Sequence, residues 1–385
     1  MNQPLFLHIV ERLEGFLHKL PEKLQKPILH ELTPLKELFL KQREPRIVLT
    51  GSHKFPVQEV FGALFSSAYP DELRDTLVEV FRWQNINLAN AGTIALLDAR
   101  GADADALKQI EAELQREPAD VFLHLVDGNS ARPILSRDTE NLASVFGVTG
   151  QPATKIIGIS LVSHTGKSKS REGQPAREDR ADTKLQTALA AHPRIGERFL
   201  QAMEIALPQS ETAAPTIGAQ RLMSLLARTL PNEARIRMVR LSRDREAQRE
   251  IAQQLIKSTT AICGAVGMQP IPLADLPILT TLQLVMISGI MDISGRERSL
   301  RAATEFVAAI GVNVGAGMVL REGARAVLKF FPGWGNVVCG MVAGAGTYAL
   351  GRAAAAYFIE GVSIKDARQT YLRSRKKRSV RKSLS

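Results

Sequence analysis

The stretch from Arg46 to Phe65 constrains the fold of this chain more strongly than any other part of it. A short apolar run, Ile47–Leu49, lies between Pro45 and Gly51 and predicts a buried strand. The apolar residues that follow recur at spacings of three and four, which predicts an amphipathic helix: Val57, Val60, Phe61, Leu64 and Phe65. A strand that leads through a glycine turn into a helix is the usual opening unit of a parallel α/β sheet.

The alternation of strands and helices continues to about residue 230. Further apolar runs predict strands at Thr93–Leu97, Val121–Val126 and Lys155–Val162. Helical patterns lie between and after them, at 104–114, about 139–146, about 183–207 and 217–230. Residues 45–230 are therefore predicted to form an α/β domain with a mainly parallel sheet flanked by helices.

The turn after the first strand is the natural place for a phosphate-binding loop, G-x-x-x-x-G-K-[ST]. Gly51 matches the first glycine, but Pro56, Val57 and Gln58 stand where Gly, Lys and Ser/Thr belong. The local architecture of a phosphate site is present and its chemistry is missing. His53 and Lys54 are candidates for contact with an anion, and two solvated polar residues on a turn are the simpler interpretation.

A second, partial match to the loop occurs at Gly166-Lys167-Ser168. Leu161 stands where its first glycine would be, and no apolar helical face follows. We interpret residues 163–182, which are polar and charged, as an exposed loop that contains this triplet by chance.

The second predicted strand leads into Asp98-Ala99-Arg100-Gly101, a DxxG pattern. In this order of strands, the chain resembles an Era-like GTPase of the translation-factor class. The resemblance implies a P-loop GTPase fold in which Asp98 holds Mg²⁺ through water and Gly101 senses the γ-phosphate. The guanine-reading motif is missing after the 155–162 strand, and the closing motif is at best Ala213-Ala214.

The nucleotide-binding candidates are thus Gly51, Lys54, Asp98 and Gly101, and no catalytic residue is predicted. Without the loop lysine and a Ser/Thr ligand, nothing evident stabilises charge on a γ-phosphate, and that stabilisation is most of phosphoryl-transfer catalysis. We therefore expect a pseudo-GTPase that serves as a regulatory or interaction module. No cofactor is expected, and GTP with Mg²⁺ would be the ligands of the alternative, a divergent active GTPase.

The second half of the chain has a different character. Residues 231–362 resemble an uncharacterised bacterial helical domain that is often fused behind Era-like GTPases, on the LPNEAR run at 230–235 and the PIPLADLP run at 270–277. The resemblance implies an all-α, hydrophobic C-terminal domain and no particular reaction. Residues 1–44 are predicted to form a helical extension, with a membrane-surface helix as the alternative.

Three long apolar stretches follow, Leu276–Met291, Phe306–Leu320 and Phe330–Gly351. A membrane span needs about 20 predominantly apolar residues, so the last stretch alone is long enough and predicts a transmembrane helix. The glycine pairs Gly311/Gly315 and Gly340/Gly344 let helices approach closely, either in a membrane or in a buried helical bundle. A membrane-remodelling or pore-forming hairpin is a further alternative.

Most of the net charge of +11 lies in the tail, 363–385. From Gly361 onward, nine Lys/Arg stand against the single acid Asp366, which makes this part +8. The cluster Arg373, Arg375, Lys376, Lys377 and Arg378 predicts contact with anionic lipid at the cytoplasmic face of the inner membrane. A solvated tail is the alternative, and the protein is cytoplasmic if the hairpin is buried. No nucleic acid is expected, because Tyr371 is the one aromatic residue among these charges. A protein partner is expected but not identified.

Two cysteines, Cys263 and Cys339, lie in apolar runs. They predict a reducing compartment and no disulfide framework. No Cys/His cluster has the spacing of metal ligands, so no metal site is predicted.

Overall fold

A computed structural model of the chain describes residues 41–65, 81–88, 92–148, 153–163, 180–207, 215–268, 275–310 and 334–380, together with residues 11, 15, 25–26 and 29–33. The chain divides into two compact units. The first, the α/β unit, comprises Arg43–Ser242. The second, the helical unit, combines Met1–Gln42 with Arg243–Ser385.

The α/β unit is built on a six-stranded sheet with the order β2-β3-β1-β4-β5-β6. β2 pairs antiparallel with β3, and every other neighbouring pair is parallel. The mainly parallel sheet predicted from the sequence is thereby confirmed. Its strands are β1 (Arg46–Gly51), β2 (Gln84–Leu88), β3 (Gly92–Asp98), β4 (Val121–Asp127), β5 (Lys155–Val162) and β6 (Phe199–Ala206).

Helices cover the sheet and supply its core. Every residue of β4 is buried, as expected for a strand covered on both faces. On one side, Ile110 and Leu142 pack with Val48 of β1 and Phe122 of β4. The helices are α1 (Val57–Phe65), α2 (Ala104–Arg116), α3 (Ser136–Val148), α4 (Ala181–Ala190), α5 (Ile217–Thr229) and α6 (Asn232–Ser242).

The predicted helix at about 183–207 is wrong over its second half. The helix ends at Ala190, and a turn containing Pro193 and Gly196 leads into strand β6. In β6, buried Met203 and Ile205 flank exposed Glu204, which is the period of two of a half-buried strand.

The sheet order places three loops together. The chain moves from β1 to β3 on one side and then crosses back to β4 on the other side. In open α/β sheets, ligands bind outside the carboxyl ends of the strands at such a switch point. Here that edge carries the loop after Gly51, Asp98 at the end of β3 and Asp127 at the end of β4.

In its described part, the helical unit contains five helices of ten or more residues, all within residues 245–380. Within it α10 packs against α7, α8 and α11, and α8 also packs against α7 and α9. They are α7 (Arg245–Gly267), α8 (Asp275–Ile293), α9 (Leu300–Ala309), α10 (Trp334–Phe358) and α11 (Ile364–Val380).

The predicted transmembrane helix is wrong for the part of the chain that the structure describes. Among those residues, no helix combines the length and the apolar content that a membrane crossing requires. The physical reason is visible in α10, where glycine and alanine make up nearly half of the sequence, which also includes the polar Asn336 and the charged Arg352. Small side chains contribute little apolar surface, so the length of the apolar stretch was not sufficient evidence for a membrane span. Most of the 306–320 stretch and the start of the 330–351 stretch lie outside the described residues.

Candidate functional site

Gly51 has a structural reason to be glycine. It adopts a φ of +91°, and a Cβ at this position would collide with the carbonyl oxygen of Leu125 in the neighbouring strand. That same carbonyl accepts a hydrogen bond from the Ser52 amide at 2.9 Å. The close approach of β1 and β4 therefore accounts for this glycine without any phosphate.

Lys54 is paired with a carboxylate of its own chain. Its Nζ lies 2.5 Å from Oδ2 of Asp127, the last residue of β4. The other oxygen of Asp127 accepts a hydrogen bond from the Asn129 amide at 3.0 Å. The Asp127 side chain is 9% exposed and that of Lys54 is 60% exposed. The candidate anion contact thus faces a negative charge in this structure.

Asp98 is paired as well, with Arg100 in the same DxxG turn. The guanidinium donates to both carboxylate oxygens, from Nε to Oδ1 at 2.8 Å and from Nη2 to Oδ2 at 2.7 Å. Its third nitrogen, Nη1, donates to the carbonyl oxygen of Phe55 at 2.9 Å. The Arg100 side chain is only 5% exposed. Arg100 therefore joins the turn after β3 to the loop after β1, and a bidentate pair of this kind is strong and geometrically specific.

Gly101 and His53 lie against each other. Gly101 has a φ of +69°, and a Cβ there would lie 2.9 Å from Nδ1 of His53. Burial raises the pKa of the nearby Asp138, and the neighbouring His53 and Arg137 oppose that shift. Of the predicted nucleotide-binding residues, the structure brings Gly51, Lys54 and Asp98 to the same edge of the sheet, with Gly101 beside them.

One small pocket lies at this edge among the described residues. A pocket of about 10 Å³ remains there, which is room for about one water molecule. It is lined by Thr50, Gly51, Ala99, Gly101, Leu107, Asp138, Asn141 and Val145. This pocket by itself is too small to hold a nucleoside triphosphate.

A buried polar pair lies beneath the Gly51 turn. The Thr50 hydroxyl and Nδ1 of His124 are 3.1 Å apart, and both residues are almost fully buried. Burial lowers the pKa of His124 to about 4, so the ring is neutral at physiological pH.

The predicted packing glycines Gly340 and Gly344 lie where α10 meets α7. A Cβ on Gly340 would lie 2.6 Å from the carbonyl oxygen of Gly264, and one on Gly344 would lie 3.5 Å from that of Thr260. They allow the two helices to approach closely inside the helical unit. The other predicted pair, Gly311 and Gly315, lies outside the described residues, as does Gly166-Lys167-Ser168.

The basic cluster of the tail lies on a helix. Arg373 and Arg375 are exposed on α11. Lys376, Lys377 and Arg378 belong to the same helix, whose side chains the structure describes as far as Arg375.

Sequence reasoning missed the two residues that complete this edge, Arg100 and Asp127. A signal existed for each of them. Arg100 stands two residues after Asp98 in a turn, where a long side chain can fold back, and Asp127 is the last residue of a fully buried strand. Nothing in the sequence indicated that Lys54 and Asp127, which are 73 positions apart, form an ion pair.

No family model matches the chain. Magnetosome membrane protein 22 of Magnetospirillum gryphiswaldense is 30% identical to it over 121 residues. The match covers 30% of this chain and 60% of that protein, so the chain spans less than two thirds of the relative's length.

Proposed function

We propose that the α/β unit is a GTPase-like fold that works as an interaction or regulatory module without nucleotide, in a membrane-associated protein. One observation carries the proposal. The aspartates that end β3 and β4 are each already paired with a cation of the chain itself, Asp98 with Arg100 and Asp127 with Lys54. Charges that are matched in this way have little electrostatic reason to recruit Mg²⁺ or a phosphate.

The sheet supports the GTPase-like part of the proposal. Its switch point lies at the carboxyl end of β1, and the glycine turn and the DxxG turn both lie at this edge. This is the arrangement that the Era-like resemblance implies. The sheet order is consistent with that fold and says nothing by itself about a ligand.

The start of α1 is poorly suited to a phosphate. A helix N-terminus binds anions through free N–H groups and its positive dipole end. Here Pro56 precedes the helix and has no N–H, and Glu59 adds a negative charge to its first turn. Both features oppose an approaching phosphate.

The carboxylate that would bind Mg²⁺, that of Asp98, already has the positively charged Arg100 beside it. An Mg²⁺ near Asp98 would stand beside the Arg100 guanidinium, and two cations would repel each other across one carboxylate. Releasing Arg100 would leave a side chain that is now 5% exposed without its three acceptors. Breaking a buried pair of this kind costs roughly 3–5 kcal/mol when one partner is left behind.

The membrane-associated part rests on charge and on the relative. The tail is strongly basic, and such clusters attract the anionic lipids of a cytoplasmic leaflet. The similar Magnetospirillum protein is by its name a membrane protein. We place the protein at the cytoplasmic face of a membrane, bound at the surface, where the α/β unit would meet a protein partner.

Calorimetric titration of the full chain with GTP, GDP and ATP in the presence of Mg²⁺ tests the nucleotide part of the proposal. We expect no binding up to millimolar nucleotide. Micromolar binding that is lost in Asp98→Ala and kept in Asp105→Ala would show the proposal to be wrong. Asp105 is the matched control because its side chain is 93% exposed on α2 and pairs with the exposed Lys108.

A further inference from the structure

Helix α11 presents one face to its own unit and a different one to solvent. Ala367 and Tyr371, one turn apart, are buried where α11 packs against α10. The exposed side carries Lys365, Arg368, Leu372 and Arg375 at spacings of three, four and three. These four residues, here called the basic stripe, therefore lie along one face of the helix.

The cations of the basic stripe have no carboxylate partner among the described residues. Asp366 is the one acid between Gly361 and Ser385. Its carboxylate accepts a hydrogen bond from the Ser363 hydroxyl at the start of the helix. No acidic residue stands three or four positions from Lys365, Arg368 or Arg375, so pairing along the helix cannot neutralise them. The stripe is a row of single-sign charge.

Helix stability does not account for this row. Cations stabilise the C-terminal end of a helix through the macrodipole, which is a sufficient reason for the arginines near the end of α11. Lys365 lies in the first turn, where the same dipole disfavours a positive charge. A row of cations that begins at the unfavourable end points to a partner outside the helix.

We propose that the basic stripe of α11 binds the surface of an anionic phospholipid membrane. The stripe extends over about 15 Å, from the 1.5 Å rise per residue of a helix, and is straight, as contact with a planar charged surface requires. Leu372, 51% exposed, lies in the middle of it and can enter the headgroup layer. Nucleic acid fits the stripe less well, because the stripe has no aromatic residue to stack on a base and Tyr371 is buried. This inference rests on the membrane-associated part of the proposed function and is independent of the nucleotide site.

The test is binding of the full chain to phosphatidylcholine vesicles that contain about a third phosphatidylglycerol, measured by co-sedimentation, with pure phosphatidylcholine vesicles alongside. The stripe variant is Lys365→Gln, Arg368→Gln and Arg375→Gln together. The control variant is Arg245→Gln, Lys257→Gln and Arg301→Gln. All of these positions are exposed in the helical unit, so both variants lose three charges.

We expect binding to the anionic vesicles alone, with about fivefold lost for each stripe cation removed and on the order of 100-fold for the triple variant. The control variant should bind almost as well as wild type, and added salt should weaken binding throughout. Leu372→Ser should weaken binding to vesicles and leave any weak binding to a 20-nucleotide RNA unchanged. Thermal unfolding of each variant verifies that all of them fold.

Three results would overturn the inference. If wild type does not bind anionic vesicles, the proposed membrane association fails with it. If it binds but the two triple variants weaken equally, membrane association survives and the assignment to the basic stripe fails. If RNA binds more tightly than vesicles and displaces them, the stripe is a nucleic-acid surface instead.

Discussion

The contact between α7 and α10 allows a quantitative prediction at Gly340. A Cβ on Gly340 would collide with Met268 and would lie 2.6 Å from the carbonyl oxygen of Gly264. The Met268 side chain can rotate away, but the carbonyl oxygen belongs to the backbone of α7. A Cβ on Gly346, in the same helix α10, would have no such neighbour within 4 Å, so Gly346→Ala is the matched control.

The magnitude follows from two opposing terms. Replacing glycine by alanine within a helix gains up to about 1 kcal/mol of intrinsic helix propensity. Ordinary carbon–oxygen contacts begin near 3.3 Å, so Gly340→Ala forces the helices apart by roughly 0.7 Å, and overpacking of this kind costs about 1–3 kcal/mol. The propensity gain is common to both variants. We therefore expect Gly340→Ala to be less stable than Gly346→Ala by about 1–3 kcal/mol.

Cys263, next to Gly264 in α7, reports on this unit directly. It is a buried free cysteine, and burial raises the pKa of its thiol to about 12, so alkylation requires opening of the structure. Peptide-resolved mass spectrometry should show Cys263 alkylated about 5- to 150-fold faster in Gly340→Ala than in Gly346→Ala, since about 1.4 kcal/mol corresponds to tenfold. Equal rates in the two variants would refute the reasoning, because they would mean that Gly340 does not set the distance between α7 and α10.

Two further predictions concern the α/β unit. Arg43 donates two hydrogen bonds, of 2.6 and 2.7 Å, to the buried carboxylate of Asp120. Arg43→Ala removes both and should lower the free energy of unfolding, measured in urea, by about 3–5 kcal/mol. Arg116→Ala, which removes a largely exposed arginine from its helical pair, should cost under about 1 kcal/mol, and equal losses would contradict the difference in burial. Because the folded pKa of His124 is about 4 and its ordinary value is 6.5, the unfolded state binds a proton between these values that the native state does not. Stability should therefore fall from pH 7 to pH 4 by up to about 3 kcal/mol more in wild type than in His124→Gln, and parallel pH profiles would contradict the burial of a neutral ring.

The sequence was sufficient for the strands that form nearly continuous apolar runs. In β4 all seven residues are buried, so the run VFLHLVD can be identified without knowledge of its neighbours. Strand β2, with the sequence QNINL, gives no such signal because its polar positions face outward at the edge of the sheet. Strand β6 was predicted as helix for the same reason. Edge strands are half-exposed, and the apolar residues of a short half-exposed segment fit the helical period of about 3.6 as well as the strand period of two.

The candidate site was predictable in position but not in its pairings. Gly51 and Asp98 follow predicted parallel strands, and the carboxyl ends of such strands share an edge. The bonds from Arg100 to Phe55 and from Lys54 to Asp127 depend on how separate loops pack, which local sequence does not encode. The Gly340/Gly344 spacing was ambiguous for a physical reason as well, since close helix approach demands small residues in lipid and in a packed bundle alike.

The arginine in the DxxG turn has a consequence for control by the cell. A diffusible cation or nucleotide leaves its site when its concentration falls, and a switch protein changes shape as a result. Arg100 is tethered to the backbone two residues from Asp98, so no change in metal or nucleotide supply can dilute it away. As long as Arg100 stays in place, the loop after β1 and the turn after β3 keep one arrangement, whatever the concentration of metal or nucleotide. Under the proposed function, any timing in the behaviour of this protein would come from when and where it meets a partner.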